Sequence, residues 1–146
     1  MTQKREALAA LARIEEAQAA LRKTLRGVKD ARLNKRSPPS EWSPMEHVRH
    51  LVFAEQHHFG PHLPKGFRWS SAGVPAPNRT GERRLSPVGS GPGAGIDEVF
   101  DAWAKINQVV QGLCTESSDA GLVARLDGNL RHLRIHAAAI ERLLRS

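Results

Sequence analysis

The chain reads as an all-α protein: a four-helix bundle with a long crossover between helices 2 and 3. Three observations predict this. Apolar residues recur at three- and four-residue steps in four separate stretches. No stretch of useful length alternates apolar and polar residues as a half-buried strand would. A single Gly/Pro-rich segment, long enough to run back along a bundle, separates the second stretch from the third.

The first helix is expected over residues 3–26. Leu8, Leu11, Ile14, Ala17, Leu21 and Leu25 form its stripe, alanines fill other positions, and Gly27 ends it. Val28 to Glu41 reads as a basic linker broken by Pro38-Pro39. Ser43-Pro44-Met45-Glu46 is a capping box that opens the second helix: Ser43 caps, Pro44 suits the first helical position, and Glu46 reaches back. Met45, Val48, Leu51, Val52 and Phe59 are its inward residues, and Gly60-Pro61 stops it. Residues 60–95 form the crossover, where 14 of 36 residues are Gly or Pro. Its length allows the helices on either side to run parallel. The third helix is expected from Ile96 to Leu113, facing inward with Ile96, Val99, Phe100, Trp103, Ile106, Val110 and Leu113. Asp97, Glu98 and Asp101 sit near its positive end. Thr115 to Gly128 reads as a connection with room for a turn of helix. The last helix is expected from Asn129 to Leu144, with Leu130, Leu133, Ala137, Ile140 and Leu144 inward.

The 146 residues suit one domain over 1–146, and 40% hydrophobic with 25% charged residues is ordinary for a globular protein. No apolar run approaches the ~18–20 residues that span a bilayer, and Glu6, Glu15 and Glu16 interrupt any signal-peptide core. The lone Cys114 excludes an internal disulfide framework and a cysteine-rich zinc site, and suits a reducing cytoplasm. The net charge of +7 raises nucleic acid as a partner. Its distribution argues against that: residues 1–36 carry ten Lys/Arg against four acids, whereas residues 95–127 are net acidic. No RRM signature, zinc-finger spacing or aromatic–basic interleaving is present. The expectation is a solvated basic surface, with no specific nucleic acid and no membrane as partner.

Seven histidines are the one compositional pointer to chemistry. His132 and His136 stand four apart, so both imidazoles share a helix face about one turn apart, on the flank of the apolar stripe. That spacing can chelate one metal; surface histidines on an Arg-rich helix are the plain alternative. His50, directly before inward Leu51, is placed to meet the pair across the bundle or to lie on the helix surface. Three protein ligands with an open position are the catalytic arrangement, and neutral imidazole suits zinc, nickel or iron.

Trp42-Ser43-Pro44-Met45-Glu46-His47-Val48-Arg49-His50-Leu51 resembles the W-[ST]-x6-H-L segment opening the second helix of DinB/YfiT-like proteins. Asn129 through Ile140 is similar to their last-helix H-x3-H-x3-I segment. The resemblance implies a four-helix bundle with the long connection after the second helix. It also implies a divalent metal held by one histidine of that helix and two of the last, by position His50, His132 and His136. Characterised relatives include thiol-dependent S-transferases and maleylpyruvate isomerases. The implied activity is therefore metal-assisted attack by a low-molecular-weight thiol or by water on a small electrophile. The alternative is a non-catalytic metal- or small-ligand-binding protein, or a stress-related bundle. Relatives are frequently dimers, so a homodimer is a further expectation.

Glu55 falls in the inward arc of the second helix, where a carboxylate needs a partner. It reads either as a general base or ligand-supporting group near the metal, or as a salt bridge to Arg13 or Arg134. Glu46 reads first as a cap, and His47 as a surface histidine or a substitute ligand. His57, His58 and His62 gather at the end of the second helix; His57 is roughly 10 Å along the axis from His50, too far to share an ion. Trp42 reads as packing where the chain enters the helix, ahead of a substrate contact, Trp103 as core, and Trp69 with Phe67 as loop packing or a lid. Cys114 lacks the setting of a nucleophile.

Overall fold

The computed structural model describes residues 2–36, 41–59, 95–116 and 121–145. All regular elements among them are helices: α1 (Thr2–Leu25), α2 (Asp30–Leu33), α3 (Pro44–Phe59), α4 (Ile96–Glu116) and α5 (Leu122–Arg145). The crossover after α3, with His62, Phe67 and Trp69, lies outside the described residues except for Gly95.

Helix α1 ends at the expected glycine. Gly27 has φ 93°, a left-handed turn that glycine adopts without steric cost. The basic linker is not wholly irregular. It contains the single turn α2, pinned by buried Leu33 and by the Arg32 guanidinium, which donates to the Leu144 carbonyl.

The capping box forms as the sequence predicts. The Glu46 N–H donates to Ser43 Oγ at 3.2 Å, and the Ser43 N–H donates to Glu46 Oε1 at 3.1 Å. Arg36 adds a fork, with Nε 2.7 Å and Nη2 2.6 Å from the two Glu46 oxygens. Burial by itself would raise the Glu46 pKa, but the Arg36 and Ser43 hydrogen bonds outweigh it and hold the carboxyl below its ordinary value. The first turn of α3 is therefore fixed from both sides.

The two boundaries between α4 and α5 differ from expectation. Helix α4 runs on to Glu116, and α5 begins at Leu122 rather than Asn129. Leu122 and Leu126, both buried, continue the stripe of Leu130 and Leu133 one and two turns back. That burial outweighs the cost of Gly128 inside the helix, about 1 kcal/mol relative to Ala.

Helices α1, α3, α4 and α5 pack so that α1 and α3 each touch both α4 and α5. Cross-helix contacts set their directions. His47 meets His136 and His50 meets His132, so α3 and α5 are antiparallel. Arg22 meets Asp97 and Asp101 while Gln18 meets Asn107, so α1 and α4 are antiparallel. Gln18 and Asn129 meet in one layer through Glu55, and the following α2 reaches Leu144, so α1 and α5 point the same way. It follows that α3 and α4 run parallel, which requires a connection as long as the bundle and accounts for the length of the crossover. The core between them includes Ile14, Val48, Val52, Phe59, Val99, Ile106, Val110, Leu126 and Ile140, all fully buried.

Replacing the cap, Ser43→Ala, is expected to cost about 1 kcal/mol of stability. Urea unfolding should show a lower midpoint at unchanged slope.

Candidate metal centre

The antiparallel contact of α3 with α5 assembles the site. His132 and His136 stand one turn apart on α5, and His50 faces them from α3. His50 Nε2 lies 3.3 Å from His132 Nε2, and His136 Nε2 lies 3.1 Å from the same atom. One nitrogen from each ring falls within 4.8 Å of the others. The structure thus brings together the three histidines singled out in the sequence.

Zn–N bonds of about 2.0–2.1 Å at tetrahedral angles place ligand nitrogens about 3.3–3.4 Å apart, and a facial octahedral set places them at about 3 Å. The two observed separations, 3.1 and 3.3 Å, lie within that range. The donor set fits a divalent ion of the zinc, nickel or iron class. His132 Nδ1, on the far side of its ring, is buried with no hydrogen-bond partner.

Electrostatics favour the ligating form. Burial, then the neighbouring imidazoles of His132 and His47, pulls the His50 pKa down to about 4. Burial and the other three rings pull His136 to about 3, and burial lowers His132 in the same direction. All three rings are neutral at pH 7, with a lone pair available to each.

Two further residues belong to this cluster. His47 is half-buried, not on the surface, and its Nδ1 lies 2.8 Å from His136 Nδ1. Trp42 does more than pack at the helix entrance. Its ring lies 4.9 Å from that of His50 and stacks over His136 at 6.3 Å and 23°. The clue to His47 lay in its spacing: three residues before His50 puts both on one face of α3.

Glu55 lies a turn and a half beyond His50, within the bundle interior, and is 1% exposed. Neither Arg13 nor Arg134 is its partner; Arg13 approaches Asp127 at 4.0 Å on the surface, and Arg134 is exposed. Amides surround Glu55 instead. Asn129 Nδ2 donates to Oε1 at 2.8 Å, Gln18 Nε2 donates to the same oxygen at 3.4 Å, and Asn107 Nδ2 donates in turn to Gln18 Oε1. Each of the four long helices contributes one residue to this layer. Burial pushes the Glu55 pKa up to about 8, against the opposing pull of Asn129 and the Trp103 indole. The three amides sit at inward helical positions beside Ile14, Ile106 and Leu126, a placement that could have marked them as core polar residues.

His58 is exposed, and the side chain of His57 lies outside the described residues. Cys114 is buried and its thiol is pushed up by that burial, which leaves it inert. No helix among the described residues is long and apolar enough to cross a membrane.

A protein-family model, the DinB superfamily, matches residues 13–141. Neither the curated proteins nor the solved structures compared gave a match.

The buried layer generates a pH prediction. Glu55 has a folded pKa near 8, above its ordinary value of 4.5. The stability it contributes is therefore complete below pH 4.5 and lost as pH rises through 8. Glu55→Gln keeps the acceptor oxygen and removes the titration. In the presence of a chelator, the melting temperature of the variant is expected to gain on that of the unaltered chain between pH 5 and pH 8.5. A constant difference across that range would show that Glu55 does not titrate in this window.

Proposed function

The chain belongs to the DinB superfamily, whose model spans most of its length, and we propose that it binds one divalent ion through His50, His132 and His136. The observation that carries this reading is the convergence of three neutral, half-buried imidazole nitrogens at ligand spacing, from two separate helices. Zinc, nickel and iron are the candidates, since imidazole suits all three.

The proposed activity is attack by a thiol or water on a small electrophile, as a transferase using a low-molecular-weight thiol or as a hydrolase. A divalent ion with three protein ligands and an open position lowers the pKa of a thiol or water bound there. The chain's own residues supply the rest. His50, His132 and His136 offer uncharged donors, so the full charge of the ion acts on its fourth ligand. Trp42 gives the site an apolar wall that excludes water on one side. Glu55 is the proposed proton-handling residue. It holds a proton at neutral pH behind the site, with its partner Asn129 three residues before His132 on the same helix. The substrate in this proposal is a small molecule, and the protein works in the cytoplasm as a homodimer.

A second reading is binding without turnover. The burial of Glu55 in an amide layer favours it, because a carboxyl so enclosed has no direct path to a substrate at the imidazoles.

Elemental analysis of the protein purified without a histidine tag tests the first reading. One equivalent of metal is expected, and each of His50→Ala, His132→Ala and His136→Ala should bring it far below that, while His58→Ala at the exposed position keeps it. Nickel or cobalt should quench the fluorescence of Trp42, and His50→Ala should abolish the quenching. A full equivalent in His50→Ala would refute the cross-helix triad. Turnover of a thiol–electrophile pair by the loaded protein, lost in the same variants, separates the enzyme from the binding protein.

A further inference from the structure

His47 stands outside the three proposed ligands, yet it touches one of them at hydrogen-bond distance. We propose that His47 is the positioning residue for His136: it accepts a hydrogen bond from Nδ1–H of His136 and so holds Nε2 aimed at His50 and His132. This inference rests on the metal-centre reading above.

A neutral imidazole carries one N–H and one lone pair. The Nδ1 atoms of His47 and His136 lie 2.8 Å apart, so a single proton sits between them. If it belonged to His47, neutral His136 would carry its own proton on Nε2, the atom 3.1 Å from His132 Nε2, and could not ligate there. Metal at Nε2 therefore requires His136 to be the Nδ1–H donor and His47 the acceptor, with the His47 proton on Nε2. A ligating histidine ordinarily gives its second N–H to a carboxylate, carbonyl or water. Here a neutral ring takes that place. It fixes the tautomer without bringing a negative charge to the centre.

The surroundings hold His47 for this task. It directly follows Glu46, which the capping box and Arg36 lock in place. Trp42 meets the His47 ring edge-on at 5.5 Å and lies over His136, so one indole steadies both partners. A role as fourth ligand is disfavoured, because His47 Nδ1 meets Nδ1 of His136 while the ligand His132 meets its Nε2.

The test is zinc affinity by chelator competition for the unaltered chain, His47→Ala, His47→Gln and His132→Ala, with circular dichroism confirming the helical fold of each. Expected for His47→Ala is a 10–100-fold weaker affinity at unchanged one-to-one stoichiometry. His47→Gln, whose side-chain carbonyl accepts a hydrogen bond, should recover a large part of the loss. Long-range ¹H–¹⁵N spectra of the zinc-loaded chain should show His136 protonated on Nδ1 and His47 on Nε2. Unchanged affinity in His47→Ala, beside an unaltered chain that binds zinc, overturns this inference alone. Loss of stoichiometric binding as complete as in His132→Ala overturns it in favour of a fourth ligand. An unaltered chain that takes up no zinc removes the metal-centre reading and this inference together.

Discussion

The register between α3 and α5 is the constraint on which the site depends. These helices run antiparallel, and two consecutive layers of side chains meet across them: His47 with His136, then His50 with His132. A further layer sets Glu55 against Asn129. A slide of one helical turn would separate all three pairs at once. The last pair resists such a slide most strongly, because it lies inside the bundle and ties in Gln18 and Asn107 from the other two long helices. A buried polar atom that loses its partner costs about 1–3 kcal/mol, so a shifted bundle that orphans several is disfavoured. The amide–carboxyl layer and the histidine cluster are thus two parts of one alignment.

The same alignment explains the electrostatics. Three imidazoles packed within a few ångströms cannot all carry charge, and burial adds to their mutual repulsion. Among the described residues no carboxylate pairs with them to offset this. The rings are held neutral, and neutral rings with convergent lone pairs repel one another less when a cation lies between them. Glu55 follows the opposite logic. A carboxyl deep in the bundle with amide partners and no cation beside it keeps its proton, so Glu55 and the imidazoles are uncharged for the same dielectric reason.

The charge that dominates the composition has little part in this. Arg22 pairs with Asp97 and Asp101 where α1 crosses α4, and Arg13 approaches Asp127 at the α1–α5 surface. These pairs are exposed and worth little each. Arg36 is the exception, since its fork on buried Glu46 fixes the turn from which His47 and His50 project.

Much of this protein could be read from local pattern. The three- and four-residue steps of Leu11, Ile14 and Leu21, or of Val99, Trp103, Ile106 and Val110, marked helices because that spacing alone lines one face of a 3.6-residue turn. The capping box marked the start of α3 within a residue, since its hydrogen bonds are made between neighbours in sequence. The pairing of His132 with His136 was visible for the same reason. The start of α5 was missed because Gly128 reads as a breaker, while the burial of Leu122 and Leu126 that overrides it is a property of the assembled bundle. An arginine partner for Glu55 was one of the two sequence readings because charge suggests charge, whereas amides from α1 and α5 donate to its Oε1 and Asn107 of α4 supports one of them. The place of His47 against His136, and of Trp42 edge-on to the first and stacked on the second, was decided by tertiary structure alone. Sequence spacing sets which face of a helix a side chain occupies; which face of another helix it meets depends on how the rods pack, and that is settled by the whole core at once.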